Sequence, residues 1–188
     1  MLKYIEEAEK YVELTGFRNV NINDAEEFVK AAREGTPQTA WIQFFDAKLV
    51  ATWQHLYFAI LNALLAFRNK RNISKSVAME TMLYASTQRQ IRKALKFMGV
   101  KRDSANVAVV IIGENLGSVQ AGLSAVSKRV GAEPDETVLE LTREKTQRIR
   151  QAFGIGANEL EAIMEKKDAK QALVNLIIER TALLSTQI

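Results

Sequence analysis

Residues 106–113 read NVAVVIIG, six apolar residues in an unbroken row closed by a glycine. A segment with no polar residue at alternate positions has no face to offer water. It therefore predicts a central strand covered on both sides. Two further stretches have strand character. AWIQFFD (40–46) is short, aromatic and β-branched, and KYVELTGF (10–17) mixes β-favouring residues before VNI (20–22). TVLEL (137–141) reads as one more candidate strand.

The intervening sequence is helical. Asn23 with Glu26 makes a capping box, and Ala25, Phe28, Val29 and Ala32 follow on one face. Asp46 is placed to cap the next segment, 48–67, which is apolar nearly all round and so belongs inside the protein. Helices are expected over 75–84 and over the stretch from Thr87, where Thr87 and Gln90 form a second capping box and Gly99 ends the run. In that stretch Ile91, Ala94, Leu95 and Met98 form the inward stripe. SVQAGLSAVSKRVG (118–131) is a further helix, and three more occupy 143–153, 158–167 and 168–185. Strands lie early and in the middle, and helices crowd the end. This order predicts an α+β fold, a small mixed sheet packed by several helices, in one domain spanning 1–188.

The chain has 188 residues, 47% apolar and 26% charged, enough for a proper core. It has no cysteine, which excludes disulfides, thiolate metal sites and a cysteine nucleophile. LKYIEEAEKYVEL after Met1 lacks the pattern of a secretory leader, and 49–67 carries Gln54, His55 and Asn62. The expectation is a soluble, cytoplasmic protein with no membrane partner.

Charge is distributed unevenly. The stretch 68–102 holds ten cations (68, 70, 71, 75, 89, 92, 93, 96, 101 and 102) and one acid, Glu80, a net +9. Since the whole chain is +4, the other residues sum to −5. Asymmetry of this kind points to a polyanion partner. Arg68 and Lys70 also suit the end of an apolar helix, where cations meet the negative end of the macrodipole; Arg71 and Lys75 have less of that excuse. Arg89, Arg92, Lys93 and Lys96 fall at i, i+3, i+4, i+7 with no acid among them. Like charges so placed repel by a few tenths of a kcal/mol per pair, a cost that an anion would offset.

Signals for catalysis are sparse. The single histidine, His55, sits in the apolar helix and reads first as a satisfied core residue. VVIIGENLGSVQ (109–120) has a strand–glycine–helix order, but it matches neither the phosphate-loop nor the dinucleotide-binding spacing, so it reads as a turn and helix cap. A small-molecule enzyme built on that turn ranks below a binding module. No cofactor or metal is expected.

The segments HLYFAILNALLAF (55–67) and NKRNISKSVAMETMLYASTQRQIRKALKFMGV (69–100) carry a family resemblance. His55-Leu56, the Ala59/Ala63 helix, the Asn69-Lys70-Arg71 turn, Glu80 ahead of Leu83-Tyr84, Ser86, Arg89-Gln90-Ile91 and Gly99 are similar to the small kinase-binding subunit of the KEOPS complex, in its archaeal type, the family of the human PRPK-binding protein. The likeness runs from about Ile42 to Ile112 and more loosely beyond. It implies a non-catalytic α+β subunit that binds the small atypical kinase/ATPase of KEOPS. That complex helps install threonylcarbamoyl on an adenosine beside the anticodon of certain tRNAs. It further implies a grip on the single-stranded 3′ end of tRNA. Phosphates would then fall to Arg68, Lys70, Arg71, Lys75, Arg89, Arg92, Lys93 and Lys96. Tyr84 is the stacking aromatic, and His55 and Gln90 are the groups for a base edge. For the kinase, the candidates are Leu176, Ile177, Leu183, Leu184 and Ile188 on the last helix, which read equally as core. The competing expectation is a protein-only regulatory module of a kinase, with its basic face meeting acidic protein.

Overall fold

A computed structural model describes residues 1–164 and 168–186. The chain runs β1 (Leu2–Ile5), β2 (Lys10–Phe17), α1 (Ala25–Arg33), β3 (Ala40–Asp46), α2 (Trp53–Arg68), α3 (Val77–Ser86) and α4 (Ile91–Met98). It continues through β4 (Val107–Gly113), α5 (Leu116–Val130), α6 (Arg143–Ala152), α7 (Ala157–Ile163) and α8 (Ala169–Leu183). Four short 3-10 turns punctuate it, at Glu6–Ala8, Ala47–Leu49, Glu136–Leu139 and Leu184–Thr186.

The strands form one sheet in the order β1-β2-β4-β3. Every residue of β4 is buried. Its alternate side chains feed two separate cores. Val107, Val109 and Ile111 join Phe17, Ile42 and Phe44 under α1 and α5. Ala108, Val110 and Ile112 join Val12, Leu14 and Phe45 under the helices of the opposite face. That larger core takes Leu56, Ile60, Met82 and Leu83 from α2 and α3, and Leu173 and Ile177 from α8.

The α+β class stands, but the sheet is not mixed. β4 pairs antiparallel with both neighbours, Val110 lying opposite Leu14 on one side and Gln43 on the other, and β1 pairs antiparallel with β2. β2 and β3 do run the same way, but β4 separates them. TVLEL is not a strand either: Asp135 caps a 3-10 turn there by accepting the Thr137 N–H at 2.9 Å. Gly16 accounts for the close approach of this turn to the sheet, because a Cβ at that position would stand 2.6 Å from Val138. VNI is not a strand, although the Val20 N–H donates to the Ala105 carbonyl at 2.8 Å, and the strand Leu2–Ile5 is one that the sequence reading lacked.

Helix starts differ by small shifts with clear causes. Asp24, not Asn23, caps α1 by accepting the Glu27 N–H at 2.8 Å. Asp46 caps as expected, but what it caps is the Ala47–Leu49 turn. The long helix then starts at Trp53. His55 sits in its first turn, fully buried. Its Nδ1 accepts the Ala51 N–H at 3.3 Å and its Nε2 donates to the Ala85 carbonyl at 2.9 Å, tying the start of α2 to the end of α3. Phe153 lies against the imidazole with ring centroids 5.9 Å apart. The helix expected over 158–167 is described as Ala157–Ile163; residues 165–167 lie outside the described residues. Among the described residues no helix is long and apolar enough to cross a membrane.

Burial holds the His55 imidazole neutral and lowers its pKa from 6.5 to about 4; the bond to Ala85 opposes the shift and Lys145 adds to it. In the unfolded chain the same group takes up a proton near its ordinary pKa. Acidification therefore feeds the unfolded state first. Stability due to His55 is intact above pH 6.5 and is lost as pH falls towards 4, by about 3 kcal/mol over the window. Urea unfolding of the natural chain and of His55→Gln across that range checks this. The gap between the two should narrow by that amount, and a gap independent of pH would contradict it.

Candidate nucleic-acid interface

The basic stretch starts where α2 ends. The Lys70 N–H donates to the Phe67 carbonyl and the Arg71 N–H to the Ala66 carbonyl, with Lys70 at φ 55°. This is a Schellman ending with lysine in the left-handed position that glycine usually takes. α3 ends in the same way. Thr87 stands at φ 55°, its N–H donates to Tyr84 and the Gln88 N–H donates to Leu83. Thr87 is thus the terminus of α3 and not the cap of α4, so the second capping box does not form. Gln90 precedes α4 without a side-chain cap bond.

Between α2 and α3 the loop 69–76 is fixed by the one acid of the basic stretch. Glu80 is fully buried in the first turn of α3. One carboxylate oxygen accepts the Ile73 N–H at 3.0 Å, and the other accepts the Ser74 N–H at 2.7 Å. Asn72 closes the loop internally, its amide donating to the Ser74 carbonyl at 2.8 Å. Glu80 is therefore a backbone clamp, not a counterion for the surface cations.

Among the described residues, none of the ten cations of 68–102 has a carboxylate within 4.0 Å, whereas Arg18, Lys48, Arg148 and Arg180 all do. Arg68 donates to the Glu7 carbonyl at 2.7 Å. The structure divides the predicted phosphate-binding residues. Arg71 and Arg89 come together in a cleft of about 800 Å³ with Asn62, Asn69 and Ile73, floored by Tyr84. Arg68 and Lys75 line a different cleft, with Lys10 and Trp41. Lys70 is exposed in the turn between α2 and α3, and Arg92, Lys93 and Lys96 are exposed along α4.

Several assignments change. His55 cannot meet a base edge, because it is buried and both ring nitrogens are engaged. Tyr84 cannot offer a stacking face at 4% exposure; burial, with Glu80 adding and Arg89 opposing, raises its hydroxyl pKa. On α4 the inward stripe is Ala94, Phe97 and Met98, while Ile91 is 43% and Leu95 40% exposed. The helix is rolled so that Phe97 meets Phe153 edge-on, centroids 5.1 Å apart. Burying the larger aromatic leaves Ile91 and Leu95 outside, among the cations. Leu176, Ile177 and Leu184, assigned to the kinase, are core residues of the α8 side; Leu183 is 45% exposed, and Ile188 lies outside the described residues. The end of α8 closes the Arg71–Arg89 cleft through Leu184, Ser185 and Thr186. The Gly113 turn is occupied by protein. Asn115 caps α5 through the Ser118 N–H at 2.9 Å, and a Cβ at Gly113 would collide with Ser118 and Val119.

Sequence reasoning passed over Asn69 and Ile73 as cleft residues. Asn62 was visible as a polar residue in an apolar helix. Its amide donates to the Phe58 carbonyl at 2.7 Å, which leaves its oxygen as an acceptor.

The Glu80 clamp is testable by an isosteric change. Glu80→Gln sets an NH2 group against backbone donors and leaves one of them unpaired, at a cost of about 1–3 kcal/mol. Amide exchange at Ile73 and Ser74 should accelerate and the melting temperature should fall; unchanged exchange at both positions would refute the clamp.

The chain matches the family described as "Kinase binding protein CGI-121" over residues 17–185. It is 34% identical over 126 residues to "Regulatory protein Cgi121" of Methanocaldococcus jannaschii, an alignment that covers 66% of this chain and 79% of that protein. With the match running from the end of β2 to the turn after α8, the chain belongs to the CGI-121 family of kinase-binding proteins.

Proposed function

We propose that this protein is a non-catalytic regulatory subunit that binds a small atypical kinase/ATPase and, within KEOPS, holds the single-stranded 3′ end of tRNA for threonylcarbamoyl-adenosine modification. The kinase half rests on the family's description and on the relative's name as a regulatory protein. The RNA half rests on one observation above all: among the described residues the cations of 68–102 stand without acidic partners, and two of them share a cleft with amide side chains. Guanidinium groups suit phosphate, being planar, permanently charged and forked. The amides of Asn62, Asn69 and Gln90 offer both donors and acceptors to a base edge. Ile91 and Leu95, exposed between cations, give apolar surface against which a ribose or base can pack.

The same two residues favour a second reading. An apolar pair ringed by cations also suits an acidic amphipathic segment of a protein, as expected of a regulatory module without RNA contact.

One experiment separates the readings. Arg89→Glu, Arg92→Glu and Lys93→Glu together should weaken tRNA binding at least tenfold. They should also reduce the slope of log K against log salt by about 2, at roughly 0.7 per single-strand phosphate contact. Binding measured by fluorescence anisotropy, with intact tRNA and with tRNA trimmed of its 3′ tail, gives both quantities. Affinity untouched by the triple change, or equal with and without the tail, would overturn the 3′-end reading and leave the protein-only one.

A further inference from the structure

A second group of cations lies outside 68–102. α6 carries Arg143, Lys145, Arg148 and Arg150 against Glu144 alone, a net +3 in ten residues, and Ile149 is its buried residue. Glu144 is engaged by Arg148 at 3.0 Å. Lys145 points inward and donates to the Val138 carbonyl at 3.0 Å.

Arg143 and Arg150 remain. They line one cleft of about 630 Å³ with Thr146, Gln147 and Gln151, closed by the turn at 154–156. Among the described residues no acid lines it, and neither arginine has a carboxylate within 4.0 Å. The Nε of Arg150 is buried and, among the described residues, has no hydrogen-bond partner. A buried donor left unpaired is costly, so its presence calls for an explanation. A Cβ at Gly154 or Gly156 would meet nothing within 4 Å, so the backbone of the turn is bare towards this space.

We propose that this cleft is a second anion site and that its ligand is the phosphate backbone of the tRNA, beyond the single-stranded tail. The inference rests on the RNA reading above and extends it. Three observations select this ligand. First, Arg143 and Arg150 are seven residues apart on one helix, about 10 Å along its axis, which suits a chain of phosphates better than one small anion. Second, the lining offers guanidinium, amide and hydroxyl groups but no aromatic face, and its one apolar side chain, Ile155, is buried. Such a surface positions a backbone without reading bases. Third, Phe153 follows α6 directly and packs on Phe97 of α4, which ties the end of α6 to the helix that carries Arg92, Lys93 and Lys96.

The test compares two probes by fluorescence anisotropy over a salt series: intact tRNA, and a short oligonucleotide carrying only the 3′ tail. Arg143→Glu combined with Arg150→Gln should weaken intact tRNA about fivefold or more. It should lower the salt slope by roughly 1–2, at about 0.9 per duplex phosphate contact. The same variant should bind the tail oligonucleotide as the natural chain does. Arg143 is exposed, so Arg143→Glu alone keeps the fold and should show about half the slope change if the double variant melts early. Unchanged tRNA affinity and slope in these variants overturn this inference while the α4 reversal still judges the 3′-end reading. Equal losses on both probes also overturn it, by placing α6 in the tail site. Failure of the unaltered chain to bind tRNA removes both.

Discussion

β4 is buried along its whole length, and that constraint organises the molecule. A strand with no exposed face needs a strand on each edge and a helical layer on each side. β2 and β3 supply the edges, α1 and α5 one layer, and α2, α3 and α8 the core of the other. The consequence for the site is topological. β3 and β4 are neighbours in the sheet, yet 60 residues, 47–106, pass between them. The ten cations of 68–102 all belong to this excursion: Arg68 ends α2, Arg92, Lys93 and Lys96 lie on α4, and the others sit in the turns beside these helices.

Among the described residues Glu9, Asn19, Lys70 and Thr87 are the non-glycine residues with positive φ, and the excursion holds the last two. Lys70 and Thr87 both occupy the left-handed region, a cost of about 1–2 kcal/mol each for a residue with a side chain, and Thr is β-branched as well. Each ends a helix abruptly and turns the chain towards a cationic segment. The strain persists because buried contacts on either side over-determine it. Glu80 grips the chain three residues after Lys70, and His55 binds the carbonyl of Ala85 two residues before Thr87. One is a buried acceptor of backbone N–H groups and the other a buried bridge, and both were legible as residues without being legible in role. Glu80 read as the one acid of a basic surface; its burial depends on where the loop folds back, which no local pattern encodes.

What the sequence made plain follows from short-range rules. NVAVVIIG, AWIQFFD and KYVELTGF are strands at nearly their predicted bounds, because an unbroken apolar or β-branched run has few other uses. The all-round apolar helix before Arg68 is buried for the same reason. What it left hidden depends on long-range packing. The roll of α4 is set by Phe153, more than fifty residues away, and the helical pattern alone favoured Ile91 and Leu95 as inner residues. Leu176 and Ile177 looked equally fit for a partner or for the core; contact with the sheet-side helices decides for the core. The antiparallel sense of every strand pair hinges on β4 inserting between β2 and β3, a matter of order and not of composition. The cations of α6 escaped notice because acids nearby in sequence dilute them, and only the folded chain shows which of those acids are engaged.

The distribution of charge between interior and surface has a common logic. Inside, positive charge is disfavoured: His55 is held neutral, and Lys145, half-buried, has its pKa lowered to about 8 by desolvation, with Arg18 adding and Glu140 opposing, whereas the buried Glu80 carboxylate is met by backbone N–H groups. Outside, among the described residues, cations are left without carboxylate partners on α4 and in the α6 cleft, although acids are available elsewhere in the chain. Pairing them would have gained little, since an exposed ion pair contributes about 0–1 kcal/mol. On the RNA reading proposed above, unpaired cations are free to meet a polyanion, whose binding releases counterions and scales with the number of phosphates neutralised. The folded state then carries a modest self-repulsion in isolation, which a bound anion relieves. Any such ligand also stabilises the fold in proportion to its concentration over its dissociation constant.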